Sequence, residues 1–166
     1  MQNGICAFTG HREIKKEHEK QLPDLLLRAI EFAYGKGCRT FAAGGALGFD
    51  TVAAREIIRF RISHPDVRLR LVLPCKNQDE RWSARQKENY TYTLRMADEI
   101  TYVSDEYTKS CMMQRNHELV READIFIAYS GKQTGGTAQT IKMAARLGKE
   151  IYNIYPALDK MENKND

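Results

Sequence analysis

Short apolar runs along this chain alternate with longer segments in which apolar residues recur every three or four positions. The runs predict six β-strands, at residues 5–9, 40–43, 67–73, 99–103, 124–129 and 150–155. The segments between them predict five helices, and in the first of these Leu22, Leu26 and Ile30 fall on one face. Strands that alternate with helices in this way indicate an α/β fold, with a mostly parallel sheet and helices on both faces.

The third predicted strand differs from the others in its polarity. Its leucines alternate with Arg68 and Arg70, which is typical of a strand with one wetter face and therefore of a sheet edge. With the last strand at the opposite edge, the pattern favours a Rossmann-like three-layer sandwich with the strand order 3-2-1-4-5-6. We expect residues 1–156 to form this single domain, and residues 157–166 to form a charged tail that frays.

Composition narrows the class of protein further. Of the 166 residues, 42% are hydrophobic, which suffices for a core, and no apolar run approaches the roughly 18 residues that a membrane span needs. The N-terminus lacks a basic segment followed by an apolar one, so the expected location is cytoplasmic, with no membrane partner. The four cysteines are widely separated, and their spacing indicates neither a metal site nor a disulfide framework.

A glycine-rich turn follows the second predicted strand and leads into a helix. Gly44, Gly45 and Gly48 can adopt positive φ, and without side chains they and Ala46 let a ligand approach the main chain. Free N–H groups at the helix start suit an anionic, phosphate-bearing ligand. Asp50 either caps this helix or binds a ribose hydroxyl. The alternative is a plain strand-to-helix turn that uses glycine for its geometry.

The other unusual residues also follow predicted strands, at the edge of the sheet where ligands of such folds bind. They are Thr9, Gly10, His11 and Arg12 after the first strand, Ser104 and Asp105 after the fourth, and Ser130, Gly131, Gly135, Gly136 and Thr137 after the fifth. Gly136 and Thr137 open a helix and, with Gly135, are the strongest phosphate-binding candidates. Neither glycine loop fits the dinucleotide or Walker fingerprint, which disfavours ordinary NAD-dependent dehydrogenases and P-loop enzymes.

Several of these side chains have two interpretations. Arg12 either clamps a phosphate through paired hydrogen bonds or pairs with Glu13 on the surface. His11 acts either as a base or as a structural hydrogen-bonding residue. Trp82 either stacks on a base or packs over the sheet. Arg115, with Asn116 beside it, either reaches the ligand or makes internal hydrogen bonds.

Three motifs resemble those of a known family. Thr-Gly-His-Arg after the first strand, Gly-Gly-Ala-Leu-Gly-Phe-Asp after the second and Gly-Gly-Thr before the last helix are similar to the YpsA-like family of the SLOG superfamily, which includes the DprA and LOG proteins. Pro74, Gln78, Trp82, Arg115 and Asn116 also fit the family's motifs. The resemblance covers roughly residues 5–155 and implies a Rossmann-like domain that binds nucleotides or nucleotide-derived ligands.

One departure concerns catalysis. LOG phosphoribohydrolases carry a glutamate shortly after the Gly-Gly-x-Gly-Thr motif, and the resemblance places Thr140 at that position. A threonine cannot act as a carboxylate acid or base, so cleavage by that route is not expected and no catalytic residue is assigned.

The leading hypothesis is therefore a sensor or adaptor domain that binds a nucleotide or an ADP-ribose-like ligand, with no other cofactor assigned. A nucleotide-cleaving hydrolase that uses His11, Asp50 or Asp105 is the alternative. Single-stranded DNA binding, by analogy with DprA, ranks last because the net charge of +4 forms no basic stripe with interleaved aromatic residues. Assembly into a homo-oligomer stays open.

Overall fold

Six strands alternate with helices in the computed structural model, which describes residues 1–164. The strands are β1 (Gly4–Gly10), β2 (Cys38–Ala43), β3 (Arg68–Leu73), β4 (Glu99–Tyr102), β5 (Ile125–Tyr129) and β6 (Glu150–Asn153). The helices are α1 (Leu22–Gly35), α2 (Phe49–Ser63), α3 (Ala84–Met96), α4 (Cys111–Glu122), α5 (Gly136–Arg146) and α6 (Tyr155–Lys164), with a short 3₁₀ helix at Lys16–His18. Over this part of the chain, no helix has both the length and the apolar character needed to cross a bilayer.

All six strands are parallel and lie in the order β4-β3-β2-β1-β5-β6. The central strand β1 pairs with β2, where Ala7 faces Ala42, and with β5, where Gly10 faces Tyr129. Because the strands are parallel, the loops that follow β1, β2 and β5 meet at one edge of the sheet. The predicted α/β, Rossmann-like fold is confirmed.

The position of β4 corrects the expected order 3-2-1-4-5-6. β4 extends the sheet beyond β3, and its residues are mostly exposed, whereas β5 is buried along its whole length and takes the place beside β1. β3 is thus an inner strand despite its arginines. Arg70 fits there because its guanidinium forms ion pairs with Glu99 of β4 at 2.8 Å and with Glu122 of α4 at 3.1 Å.

Two hydrophobic layers cover the faces of the sheet. The larger one packs α1 and α2 against Phe8, Phe41 and Leu71. The smaller one packs α4 and α5 against the opposite face, where Ala7 and Phe126 are fully buried. This arrangement is the three-layer sandwich that the alternation of strands and helices predicts.

The segment expected to be a fraying tail is helical in the structure. Residues 155–164 form α6, in which Leu158 is buried, and residues 165–166 of the expected tail lie outside the described residues. The fully buried His18 links this helix to the sheet. Its Nδ1 lies 2.6 Å from the hydroxyl of Tyr129, and its Nε2 lies 2.7 Å from Asp159 of α6. The charged composition of this segment gave no indication of the buried Leu158, or of the hydrogen bonds that connect Asp159 to Tyr129 through His18.

Replacing Leu158 by alanine should therefore destabilise the protein by about 2–4 kcal/mol, since the substitution leaves a cavity under α6. Leu147→Ala is the matched control, because Leu147 is 62% exposed and its loss should change stability by less than about 0.5 kcal/mol. Urea denaturation measures both. Equal effects of the two substitutions would contradict the packing of α6.

Candidate functional site

A cavity of about 310 Å³, here named the central cavity, lies at the carboxyl ends of the strands. Its walls come from the end of β1, the turn after β2, and the helices α2, α4 and α5. Ten of the residues predicted to bind ligand line it: Thr9, Gly10, His11, Arg12, Ala46, Asp50, Arg115, Asn116, Gly136 and Thr137. The structure thus brings the two glycine-rich turns to one space.

The first turn of α5 lines this cavity through Gly136 and Thr137. Gly135 is the N-cap residue, with φ of 99°, and no side chain caps the helix. The first N–H groups of a helix lack internal partners and carry the positive end of its dipole, so they attract an anion. A methyl group at Gly136 would meet no heavy atom within 4 Å, so protein packing does not require glycine there.

The glycines of the turn after β2 serve the interior of the protein. Gly48, the N-cap of α2, has φ of 79°, and a Cβ there would clash with the carbonyl oxygen of Arg12. A Cβ on Gly44 would lie 2.5 Å from Nη1 of Arg115, and one on Gly45 would meet Leu73. At these three glycines, the absence of a side chain makes room for neighbouring protein atoms. Ala46 is the residue of this turn that lines the central cavity.

Arg115 is a buried cation in the cavity wall, with 6% of its surface exposed. Its Nη1 donates to the carbonyl oxygen of Gly44 at 2.5 Å, and its Nε donates to Oδ1 of Asn116 at 2.8 Å. Within residues 1–164 it forms no ion pair, and burial lowers the pKa of its guanidinium while Asp50 opposes that shift. Five N–H donors are available on a guanidinium, so donors remain for an anion.

Asp50 is the carboxylate in this cavity, and it is also buried. Its Oδ2 accepts a hydrogen bond from the N–H of Ala46 at 3.2 Å and so stabilises the glycine turn. The N-cap of α2 is Gly48, not Asp50. This corrects the capping interpretation. Burial raises the pKa of the Asp50 carboxyl from its ordinary value of 3.8 to about 6, although the positive charges of Arg115 and Arg12 oppose this shift.

His11 and Arg12 lie next to each other but differ in their surroundings. Nε2 of His11 accepts the N–H of Gly131 at 2.9 Å, an arrangement that favours its structural interpretation. Burial, followed by the charge of Lys132, lowers the pKa of His11, so its ring is neutral at pH 7. Arg12 is exposed, and across the described part of the chain it forms no ion pair, including with Glu13.

The remaining predicted residues lie outside the central cavity. Ser130 and Gly131 line a separate pocket beside Tyr155, and the exposed Asp105 pairs with Lys76 at 3.3 Å. Thr140 is buried, and its hydroxyl donates to the carbonyl oxygen of Gly136 at 2.9 Å. That position therefore offers the cavity neither a carboxylate nor a free hydroxyl.

The sequence did not single out three apolar residues in the wall, Phe8, Met112 and Leu119. Met112 precedes Arg115 by three residues, so both fall on one face of α4. That spacing is the signal that could have found Met112. Gln78 and Trp82 line a neighbouring cleft together with Met112.

Comparisons with known proteins agree with the fold and the motifs. The YpsA family model, described as the YspA SLOG family, matches residues 6–157. The uncharacterised SPbeta prophage-derived protein YoqJ of Bacillus subtilis (strain 168) is 29% identical over 151 residues, which cover 82% of this chain and 88% of YoqJ.

Two solved structures of DNA processing protein A (DprA) share the fold. The protein from Streptococcus pneumoniae has a TM-score of 0.64 at 16% identity, with 89% of this chain and 49% of that chain covered. The protein from Helicobacter pylori has the same score and identity, and the match covers 90% of this chain and 64% of that one. This chain thus spans about half to two thirds of the DprA structures. Because the family model covers most of the sequence, the chain belongs to the YpsA family of SLOG proteins.

Proposed function

We propose that this protein binds a nucleotide or nucleotide-derived anion in the central cavity and acts as a binding module. The phosphate lies against the N-terminal turn of α5, near Gly136 and Thr137. The observation that carries this proposal is the buried guanidinium of Arg115, which lines the same cavity as the uncapped helix start. Within residues 1–164 Arg115 forms no ion pair, although the charge of Asp50 is near enough to influence its pKa. A guanidinium and free helix N–H groups together favour a phosphate.

A binding role is favoured over cleavage because the acidic side chain in the cavity wall, Asp50, is already hydrogen-bonded to the main chain. Thr140 stands where LOG enzymes have a glutamate, and its hydroxyl is engaged within α5. Asp50 is the carboxylate that lines the cavity, and its Oδ2 is held by the N–H of Ala46. An enzyme would have to use Asp50, and product formation from AMP or ADP-ribose that disappears in Asp50→Asn would support that alternative.

The structure of Helicobacter pylori DprA is described as showing a single-stranded DNA binding mode, so DNA is the second candidate ligand. The central cavity, of about 310 Å³, suits a small molecule better than a polynucleotide. Binding of an oligothymidylate that weakens steeply with salt would favour DNA instead.

The test uses Gly136→Ala with Gly35→Ala as its matched control. Both glycines are exposed helix residues where a Cβ would meet no atom within 4 Å, so both substitutions should stabilise the protein by about 0.4–1 kcal/mol. In calorimetric titration with AMP, ADP and ADP-ribose, we expect Gly136→Ala to weaken binding at least tenfold and Gly35→Ala to leave it unchanged.

Thermal unfolding gives a second measurement. A bound ligand at 100 times its dissociation constant should stabilise the protein by about 2.7 kcal/mol. Absence of binding and of a thermal shift across the panel would contradict the proposed function. Full-strength binding to Gly136→Ala would contradict the position assigned to the phosphate.

A further inference from the structure

A second opening, here named the aromatic cleft, lies beside the central cavity. Its volume is about 380 Å³, and it is lined by Asn77, Gln78, Glu80, Arg81, Trp82, Tyr107 and Met112. A passage of about 60 Å³ has walls made by Arg12, Ala46, Leu47, Gln78, Trp82 and Met112.

The passage shares residues with the spaces on both of its sides. Arg12 and Ala46 line the central cavity and the passage, while Gln78 and Trp82 line the passage and the aromatic cleft. Met112 lines all three. The passage therefore adjoins the central cavity on one side and the aromatic cleft on the other.

The aromatic cleft has walls suited to a planar ring. Trp82 packs edge-on against Tyr90, with ring centroids 5.1 Å apart and planes at 67°, which holds the indole in place. Tyr107 is 60% exposed, an unusual state for a large aromatic side chain. Met112 adds a polarizable sulfur, which interacts favourably with aromatic rings.

Gln78 provides a fixed polar group in this wall. Its Nε2 donates to the carbonyl oxygen of Gly45 at 3.2 Å and to the hydroxyl of Tyr90 at 3.0 Å. Because a carbonyl oxygen can only accept, these contacts set the orientation of the amide. Its Oε1 has no hydrogen-bond partner among residues 1–164 and is left to accept from a ligand.

We infer that the aromatic cleft binds the base of the same ligand whose phosphate occupies the central cavity, so that the ligand class is a purine nucleotide. This inference rests on the proposed function and adds a second subsite to it. The passage beside Met112 then holds the sugar. Two fused rings offer a larger stacking area than one, and Gln78 offers an acceptor to a ring amino group.

The experiment compares AMP with ribose 5-phosphate, which has the sugar and phosphate but no base. Stacking of a base on aromatic residues is worth roughly 5- to 160-fold in affinity. We expect wild-type protein to bind AMP more tightly than ribose 5-phosphate by such a factor. Trp82→Ala should remove most of that difference, because it should weaken AMP binding far more than ribose 5-phosphate binding.

Two further variants keep the test independent of folding. Tyr107→Ala alters an exposed residue of the cleft and should reduce AMP affinity in the same selective way. Tyr92→Ala alters an aromatic residue of α3 that is 43% exposed and lies outside the cleft, and should have no effect.

The outcomes separate the inference from the proposed function. Equal affinities for AMP and ribose 5-phosphate, unaffected by Trp82→Ala and Tyr107→Ala, would overturn the inference while the phosphate site stands. Absence of binding by either compound would overturn the proposed function, and the inference with it.

Discussion

Arg115→Met is expected to lower the free energy of unfolding at pH 7 by about 2–4 kcal/mol and to weaken AMP binding at least 100-fold. The stability loss follows because the buried carbonyl of Gly44 loses its donor at 2.5 Å, and because Asp50 loses the main positive charge that opposes its raised pKa. The binding loss follows because a charged hydrogen-bond donor disappears from the cavity wall. Urea denaturation and calorimetric titration measure the two effects.

Arg12→Met is the matched control, since both arginines line the central cavity and Arg12 is the exposed one. Its removal should weaken AMP binding about tenfold and change stability by less than about 0.5 kcal/mol. A second comparison combines Asp50→Asn with Arg115→Met. The free energy of unfolding of this double variant should be higher than the sum of the two single effects predicts, because the two side chains interact. Wild-type AMP affinity in Arg115→Met would contradict the role assigned to its guanidinium.

The glycine turn after β2 shows what the sequence could and could not predict. Three glycines before a helix predict a tight turn at the ligand-binding edge of the sheet, and the turn lies there. The sequence could not tell which atoms fill the space that glycine leaves. At Gly44 and Gly48 that space is taken by Arg115 and by the main chain of Arg12, whereas at Gly136 it is open.

The order of the sheet shows a related limit. Alternating polarity in β3 predicts a strand with one solvent-exposed face. The charge of a long arginine side chain can, however, be paired inside the sandwich when two carboxylates lie nearby. Arg70 has such partners in Glu99 and Glu122, which are 29 and 52 residues away in sequence. Contacts over that separation follow from the packing of β4 and α4. The polarity pattern of β3 alone therefore placed this strand wrongly at the edge of the sheet.

Asp50→Asn is expected to stabilise the protein by roughly 2–3 kcal/mol at pH 7.5. In the folded protein burial raises the pKa of Asp50 from 3.8 to about 6, so ionisation above pH 6 opposes folding. Asparagine avoids this cost because it is neutral, and its Oδ1 can still accept the N–H of Ala46, which lies 3.2 Å from the carboxylate. Urea denaturation of both proteins at a series of pH values measures the difference.

The pH dependence gives the sharper form of this test. A raised pKa means that the folded protein holds a proton that the unfolded chain releases, so the contribution of Asp50 is present below pH 3.8 and is lost as pH rises through about 6. The advantage of Asp50→Asn should therefore grow by about 1 kcal/mol between pH 5 and pH 7.5 and then level off. Asp105→Asn, which alters an exposed carboxylate outside the central cavity, is the matched control. A stability difference between the two proteins that stays constant across this range would show that Asp50 is not buried as described. A loss of AMP binding together with the gain in stability would favour the ribose-binding interpretation of Asp50.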